Sequence, residues 1–135
     1  VIEDSSDPLY SIIDSSVHNS LFKQGEYICK TQDEWMSTFD AHFQVGLSPE
    51  KKQEIVSILR SQKRHVVILA MGTQPSGGYR IHLNDVTRDQ STLKVWYEYQ
   101  EPKPDRLVTL SLTQPVLLFS VPSIYTNIQF KNIRQ

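Results

Sequence analysis

The chain has 135 residues, with 14 Lys and Arg against 15 Asp and Glu, five Gly, seven Pro and one Cys. Leu, Ile, Val and Phe supply 39 of the 135 residues, far above the roughly 20% at which disorder becomes the better reading, so one domain with a real core is expected. A net charge of −1 lacks the basic footprint of a nucleic-acid binder, and the lone Cys29 excludes an internal disulfide framework or a multi-thiolate zinc site.

Residues 1–8 read as a flexible lead-in, and the Ser-rich stretch to residue 30, with its short apolar pairs Ile12-Ile13 and Leu21-Phe22, as irregular or short-strand structure. Thr31-Gln32-Asp33-Glu34 then has capping-box spacing, and its acidic residues suit the positive end of a helix. Trp35, Phe39 and Phe43 recur every fourth residue, which predicts a helix over about 32–44 with one aromatic face, stopped by Gly46. Ser48-Pro49 opens a second helix ending near residue 62, with Ile55, Ile58 and Leu59 on one face.

From residue 65 the period falls from 3.6 to 2. Val66 to Ala70 is continuously apolar, a strand covered on both faces, for which the helices are the obvious cover. Tyr79 to Asn84 and Leu93 to Gln100 alternate, as do Val108, Leu110 and Leu112; Val116 to Val121 and Thr126 to Lys131 complete five or six strands. Pro102 and Pro104 mark a turn, since neither donates to a ladder. Short hairpin-like links imply a largely antiparallel sheet. No apolar run reaches the roughly 20 residues of a membrane span, so the chain reads as soluble. Residues 1–64 carry seven cations and ten carboxylates, residues 65–135 seven and five; neither half is polarised enough to name a partner. The triplet Thr-Gln-Pro occurs at 73–75 and again at 113–115.

The most informative stretch is Gly72-Thr73-Gln74-Pro75-Ser76-Gly77-Gly78-Tyr79, longer than an economical hairpin needs. Pro75 presets a turn and Gly77-Gly78 permit positive φ. One reading is a structured connection; the other is a protruding recognition loop held by the sheet. A phosphate cradle does not fit, because the loop lacks the Walker lysine and leads into a strand instead of a helix.

Val66 to Gly72 followed by Gln74-Pro75-Ser76-Gly77-Gly78-Tyr79 resembles the C-terminal domain of the PrcB family of protease-complex subunits, whose members have an apolar strand and a Pro-Thr/Ser-Gly-Gly-Tyr loop. The resemblance runs through Val95 to Tyr99, the proline turn at 102–104 and Leu112-Thr113-Gln114-Pro115 to Pro122, and upstream to Thr31-Gln32-Asp33-Glu34-Trp35. Lys63-Arg64-His65 stands where members often carry Asp-Phe. The resemblance implies an exported bacterial protein, periplasmic or attached to the cell envelope, that supports a protease complex and brings no catalytic residues. No signal or lipid anchor is visible in the chain. The same loop is similar to the Asn-Pro-Thr-Thr-Gly-Tyr loop of chagasin-type cysteine-protease inhibitors, whose later Arg-Pro-Trp loop has no counterpart here.

Other constellations are weaker. His18, His42, His65 and His82 lie in separate elements without metal-ligand spacing and read as ordinary histidines. Cys29 beside His42 has the residue types of a thiolate nucleophile but reads better as a small buried hydrophobe, and Ser76 is not in a G-x-S-x-G elbow. Asp33, Glu34 and Asp40 are explained by capping and solvation. Trp96 alternates with Val95 and Tyr97; either the helices cover it, stacking Trp35 or Phe39 on it, or it marks a binding surface beside Arg80 and His82. The stripe Trp35, Phe39 and Phe43 reads as core.

Together these readings give one α+β domain over 1–135. A helical pair at 31–62 packs on antiparallel strands at 65–131, as an open sheet or a small sandwich. The expected function is a non-enzymatic accessory or binding module for a protein partner, with a protease the partner implied by the resemblance. Gln74, Pro75, Ser76, Gly77, Gly78 and Tyr79 are the binding residues, and no cofactor or metal is expected. The alternative is a protease inhibitor that wedges the loop 74–79 into an active-site cleft.

Overall fold

The continuous apolar run at Val66 to Ala70 demands cover on both faces, because successive strand side chains point to opposite sides. The computed structural model, which describes residues 9–43, 47–61 and 63–133, supplies that cover from two different layers. The expected lead-in at 1–8 and the stop at Gly46 lie outside the described residues. Two strands come first, β1 (Ser11–Val17) and β2 (Gly25–Cys29), followed by a helical stretch that opens with α1 (Gln32–Glu34). A longer helix, α2 (Pro49–Ser61), follows; then come β3 (Arg64–Ala70), β4 (Arg80–Asp89), β5 (Thr92–Gln100), β6 (Val116–Pro122) and β7 (Asn127–Asn132).

Four strands form an antiparallel sheet in the order β1-β6-β3-β2, and three form a second sheet in the order β4-β5-β7. One face of the first sheet, with Val66, Ile68, Ala70, Val116 and Leu118, packs on Trp35, Phe43, Ile55 and Ile58 from the helices. Its other face, with Val67, Leu69, Leu117, Phe119 and Val121, packs on Ile81, Val86, Leu93, Val95 and Tyr97 of the second sheet. The architecture is therefore α+β in three layers: helices, four-stranded sheet, three-stranded sheet. It combines the helix-on-sheet and sandwich expectations.

The first helical stretch is not a uniform α-helix. The Thr31 side chain accepts from the Glu34 N–H at 3.0 Å, while Glu34 reaches back to the Lys30 N–H at 2.9 Å, a capping box shifted by one residue. A π-helical turn (Trp35–Phe39) follows, closed by the Asp40 N–H on the Trp35 carbonyl, and then a 3₁₀ turn (Asp40–Phe43). The rings of Trp35 and Phe43 stack at 5.5 Å inside the first cluster, so the aromatic stripe is core as expected. α2 is capped by Ser48, whose hydroxyl accepts from the Lys51 N–H. At the start of β3, Arg64 is buried and donates to the Ser120 side chain and carbonyl across the β3–β6 pair.

Four expectations are corrected. Residues 11–17 and 25–29 are regular strands that bring the number of strands to seven. Each is an edge whose pattern is blurred because one side of it faces water. β7 runs parallel to β5, with Leu93 beside Ile128 and Val95 beside Phe130; it arrives from the other sheet and not by a hairpin, so nothing constrains it to be antiparallel. Val108, Leu110 and Leu112 form no strand. Trp96 lies on the outer face of the second sheet, half-buried, with Asp85 and Lys131 as its register neighbours. The helices cannot cover it, because they occupy the far side of the first sheet.

Phe119 is fully buried between the two sheets. Phe119→Ala should lower unfolding stability by about 3–5 kcal/mol, read from urea denaturation. A loss under about 1 kcal/mol would contradict the two-sheet packing.

Candidate functional site

Register fixes where the chain must cross between sheets. The end of β3 pairs with the start of β6 (Ala70 with Val116), and the start of β4 pairs with the end of β5 (Arg80 with Gln100). Both crossings, residues 71–79 going out and residues 101–115 coming back, therefore lie at the same end of the sandwich. They are bonded to each other. Gln74 and Thr113 exchange both backbone hydrogen bonds, at 2.7 and 3.0 Å, so the two Thr-Gln-Pro copies meet. The Gly77 N–H donates to the Thr109 carbonyl at 3.0 Å, and the Thr113 hydroxyl donates to the Ser76 carbonyl at 2.8 Å.

The two glycines do different work. Gly78 has φ +91°, and a Cβ there would also run into Pro102 and Val108. Gly77 has no positive φ; a Cβ on it would strike the Thr109 hydroxyl, so close approach of the two crossings is what it permits. Tyr79 packs against the inter-sheet cluster, and Tyr99 donates to the Ala70 carbonyl at 2.9 Å, fixing the point where the outgoing crossing leaves β3. The Tyr97 hydroxyl donates to the Glu26 carboxylate at 2.6 Å, a second tie between the sheets. Burial, then the Glu26 bond, pushes the Tyr97 pKa up; burial raises that of Tyr99.

All six residues singled out in the sequence, Gln74 to Tyr79, thus sit together at this end. They do not form a freely protruding loop: Pro75 and Gly78 are exposed, while Gln74, Ser76, Gly77 and Tyr79 are half-buried against the returning crossing. The reading of the sequence missed the other half of the site. Leu107, Leu110 and Leu112 are 101%, 92% and 64% exposed, which places three large apolar side chains in water on one short segment. Between the crossings lies an open cleft of about 1080 Å³, lined by Gly77–Arg80 and most of residues 100–113, with His18 and Asn19 at one end. Its charged lining is Arg80, Lys103 and Arg106 against the single carboxylate Glu101. The signal was present as the alternation Val108, Leu110, Leu112, but alternation alone cannot say whether a second strand is there to pair.

Residues 65–122 match the family model described as PrcB C-terminal. The match takes in β3, both crossings and β6, so the PrcB likeness is established across the two-loop end and not upstream, at the helices. No curated protein and no solved structure matches the chain.

The remaining candidates are dispersed. Cys29 is fully buried, its thiol bonded to the Thr31 carbonyl. Burial, then the nearby Glu34 carboxylate, pushes its pKa up to about 12, so the thiol stays protonated in neutral solution. The Ser76 hydroxyl donates to the Gly77 carbonyl. His42 stacks on Phe22 at 4.5 Å and bonds the Thr38 carbonyl, and burial lowers the His65 pKa. Among the described residues no group of three His, Cys, Asp or Glu is placed to hold a metal, and no helix is long and apolar enough to cross a membrane.

Two expectations follow. A thiol ionising near 9 when unfolded and near 12 when folded contributes stability that is complete below pH 9 and lost as pH rises toward 12. Urea midpoints should therefore fall over that window, less steeply for Cys29→Ala, and a disulfide reagent at pH 8 should label Cys29 only after denaturation. Gly78→Val should destabilise the fold by about 1–3 kcal/mol through forced positive φ and contact with Pro102, which the same denaturation reads; no change would contradict the geometry of the loop.

Proposed function

We propose that the protein is a non-enzymatic accessory or binding domain, and that the end of the sandwich formed by residues 74–79 and 101–113 is the surface it offers to a protein partner. The observation that carries this reading is the exposure of Leu107, Leu110 and Leu112 beside a cleft on a loop pair that is itself rigidly tied. Exposed leucines clustered on one segment suit a partner that removes them from water. The PrcB C-terminal match over residues 65–122 supports a partner belonging to a protease complex, and with it an exported location at the cell envelope.

The inhibitor alternative needs the loop 74–79 to enter a protease cleft alone. Its inner side is bonded to residues 109–113, which favours a broader contact made by both crossings, so the accessory reading is preferred.

The test compares wild-type protein with Leu107→Asp and Leu112→Asp variants, both at exposed positions that leave the core intact, as bait against the envelope fraction of the cells that make it. Recovery of a protease activity by wild type, reduced about tenfold or more by either variant, is expected. Undiminished activity of the recovered protease supports the accessory role, and dose-dependent loss supports the inhibitor. Equal recovery by all three proteins would move the contact surface elsewhere, toward the outer face around Trp96.

A further inference from the structure

Cations gather at the two-loop end of a chain whose net charge is −1. Arg80, Lys103 and Arg106 line the cleft there, with Glu101 as its only carboxylate. The three come from two elements. Arg80 opens β4 where the outgoing crossing ends, and its Nε donates to the Gln100 side chain at 2.7 Å, which steadies the guanidinium. Lys103 and Arg106 belong to the proline turn of the returning crossing, closed by the Arg106 N–H on the Lys103 carbonyl at 3.0 Å. Asp105 lies in the same turn but does not line the cleft. The turn therefore puts both its cations on the cleft wall and keeps its carboxylate off it. Among the described residues neither Lys103 nor Arg106 forms an ion pair.

The same cleft is lined by Pro102, Pro104, Leu107, Val108 and Leu112. Apolar surface and unpaired positive charge thus share one open cavity of about 1080 Å³, at the upper end of the roughly 300–1,000 Å³ usual for ligand sites. That combination narrows the occupant. A basic segment would set like charge against the three cations, and a wholly apolar one would strip them of water without replacing it; both are unfavourable. We infer that the cleft seats an acidic segment of the partner protein, whose carboxylates meet Arg80, Lys103 and Arg106 while its apolar side chains cover Leu107 and Leu112. The planar arginine forks suit carboxylates, and the opposite charge speeds encounter. This rests on the reading of the two-loop end as the contact surface, and adds the chemistry of what the partner places in it.

The probe is a fluorescein-labelled, end-capped octapeptide of alternating Glu and Val, beside Gln–Val and Lys–Val counterparts. Fluorescence polarisation should show saturable binding of the Glu–Val peptide that weakens as salt is raised. Affinity should drop about tenfold or more with either counterpart, and with Lys103→Glu or Arg106→Glu protein. Lys94→Glu makes the same change of charge on the outer face of the second sheet, and should bind as wild type does. In NMR spectra the Glu–Val peptide should shift the amides of Gly77, Gly78 and Thr109, which line the cleft. Thermal unfolding of the variants, unchanged from wild type, separates lost binding from lost fold. Absence of saturable binding, equal binding of all three peptides, an equal loss with Lys94→Glu, or shifts confined to residues outside the cleft would overturn the inference. Concentration-dependent dimerisation abolished by Arg106→Glu would also overturn it, assigning the cleft to a second copy of the chain. The two readings fail separately. An envelope protease lost with Leu107→Asp but held equally by wild type, Lys103→Glu and Arg106→Glu leaves the contact surface standing and removes its acidic occupant.

Discussion

β3 has five consecutive side chains, Val66 to Ala70, that are fully buried, and no single partner layer can bury a strand on both faces. Two layers are needed, one for the set Val66, Ile68 and Ala70 and one for Val67 and Leu69. That requirement divides the molecule into its two apolar clusters. It places the helices on one side and forces the chain to build a second sheet on the other. β6, buried at every position and paired with β3 along its length, shares the central wall. Deleting one methylene here is felt in the cluster that the side chain faces, since such interiors are close-packed.

The site follows from the same constraint. Once β3 and β6 belong to one sheet and β4 and β5 to the other, the chain must cross the sandwich twice, and the register puts both crossings at one end. Crossings bridge two sheets about 10 Å apart, so they are longer than hairpin turns and carry backbone that no ladder satisfies. The protein satisfies part of it by bonding the crossings to each other through Gln74, Gly77, Thr109 and Thr113. Gly77 and Gly78 let the two backbones come close enough. Among the described residues, Val108, Leu110 and Leu112 of the returning crossing have no backbone partner.

Several elements were legible because local chemistry and tertiary structure agree there. The cap at Thr31, the start of α2 at Ser48-Pro49, the aromatic stripe and the doubly covered strand all depend on neighbours close in sequence or on simple periodicity. The Pro-Ser-Gly-Gly-Tyr loop was legible as a feature and as a family mark, though its attachment to Thr109 and Thr113 was not. β1 and β2 were legible only as irregular or short-strand structure, because edge strands expose part of each face. Of the two places open to Trp96, cover by the helices fails, because alternation assigns a side of the sheet without saying which layer covers it. The strand expected at 108–112 failed for a related reason: the residues are suited to a ladder, but the backbone bends at Ser111 and, among the described residues, no strand pairs with them.

Composition, periodicity and the loop residues by themselves determined that the chain folds around an apolar core as α+β, with helices before most of the strands and a constrained turn at Pro75 to Gly78. Those properties are local, set by side-chain spacing, caps and φ preferences within a few residues. Tertiary structure alone decided the three-layer order, the parallel placement of β7 and the meeting of the two Thr-Gln-Pro copies, about 40 residues apart in sequence. Each of these depends on which strand edges and faces find each other. That choice is made by total apolar burial and backbone pairing across the whole molecule, quantities that no window of the sequence contains.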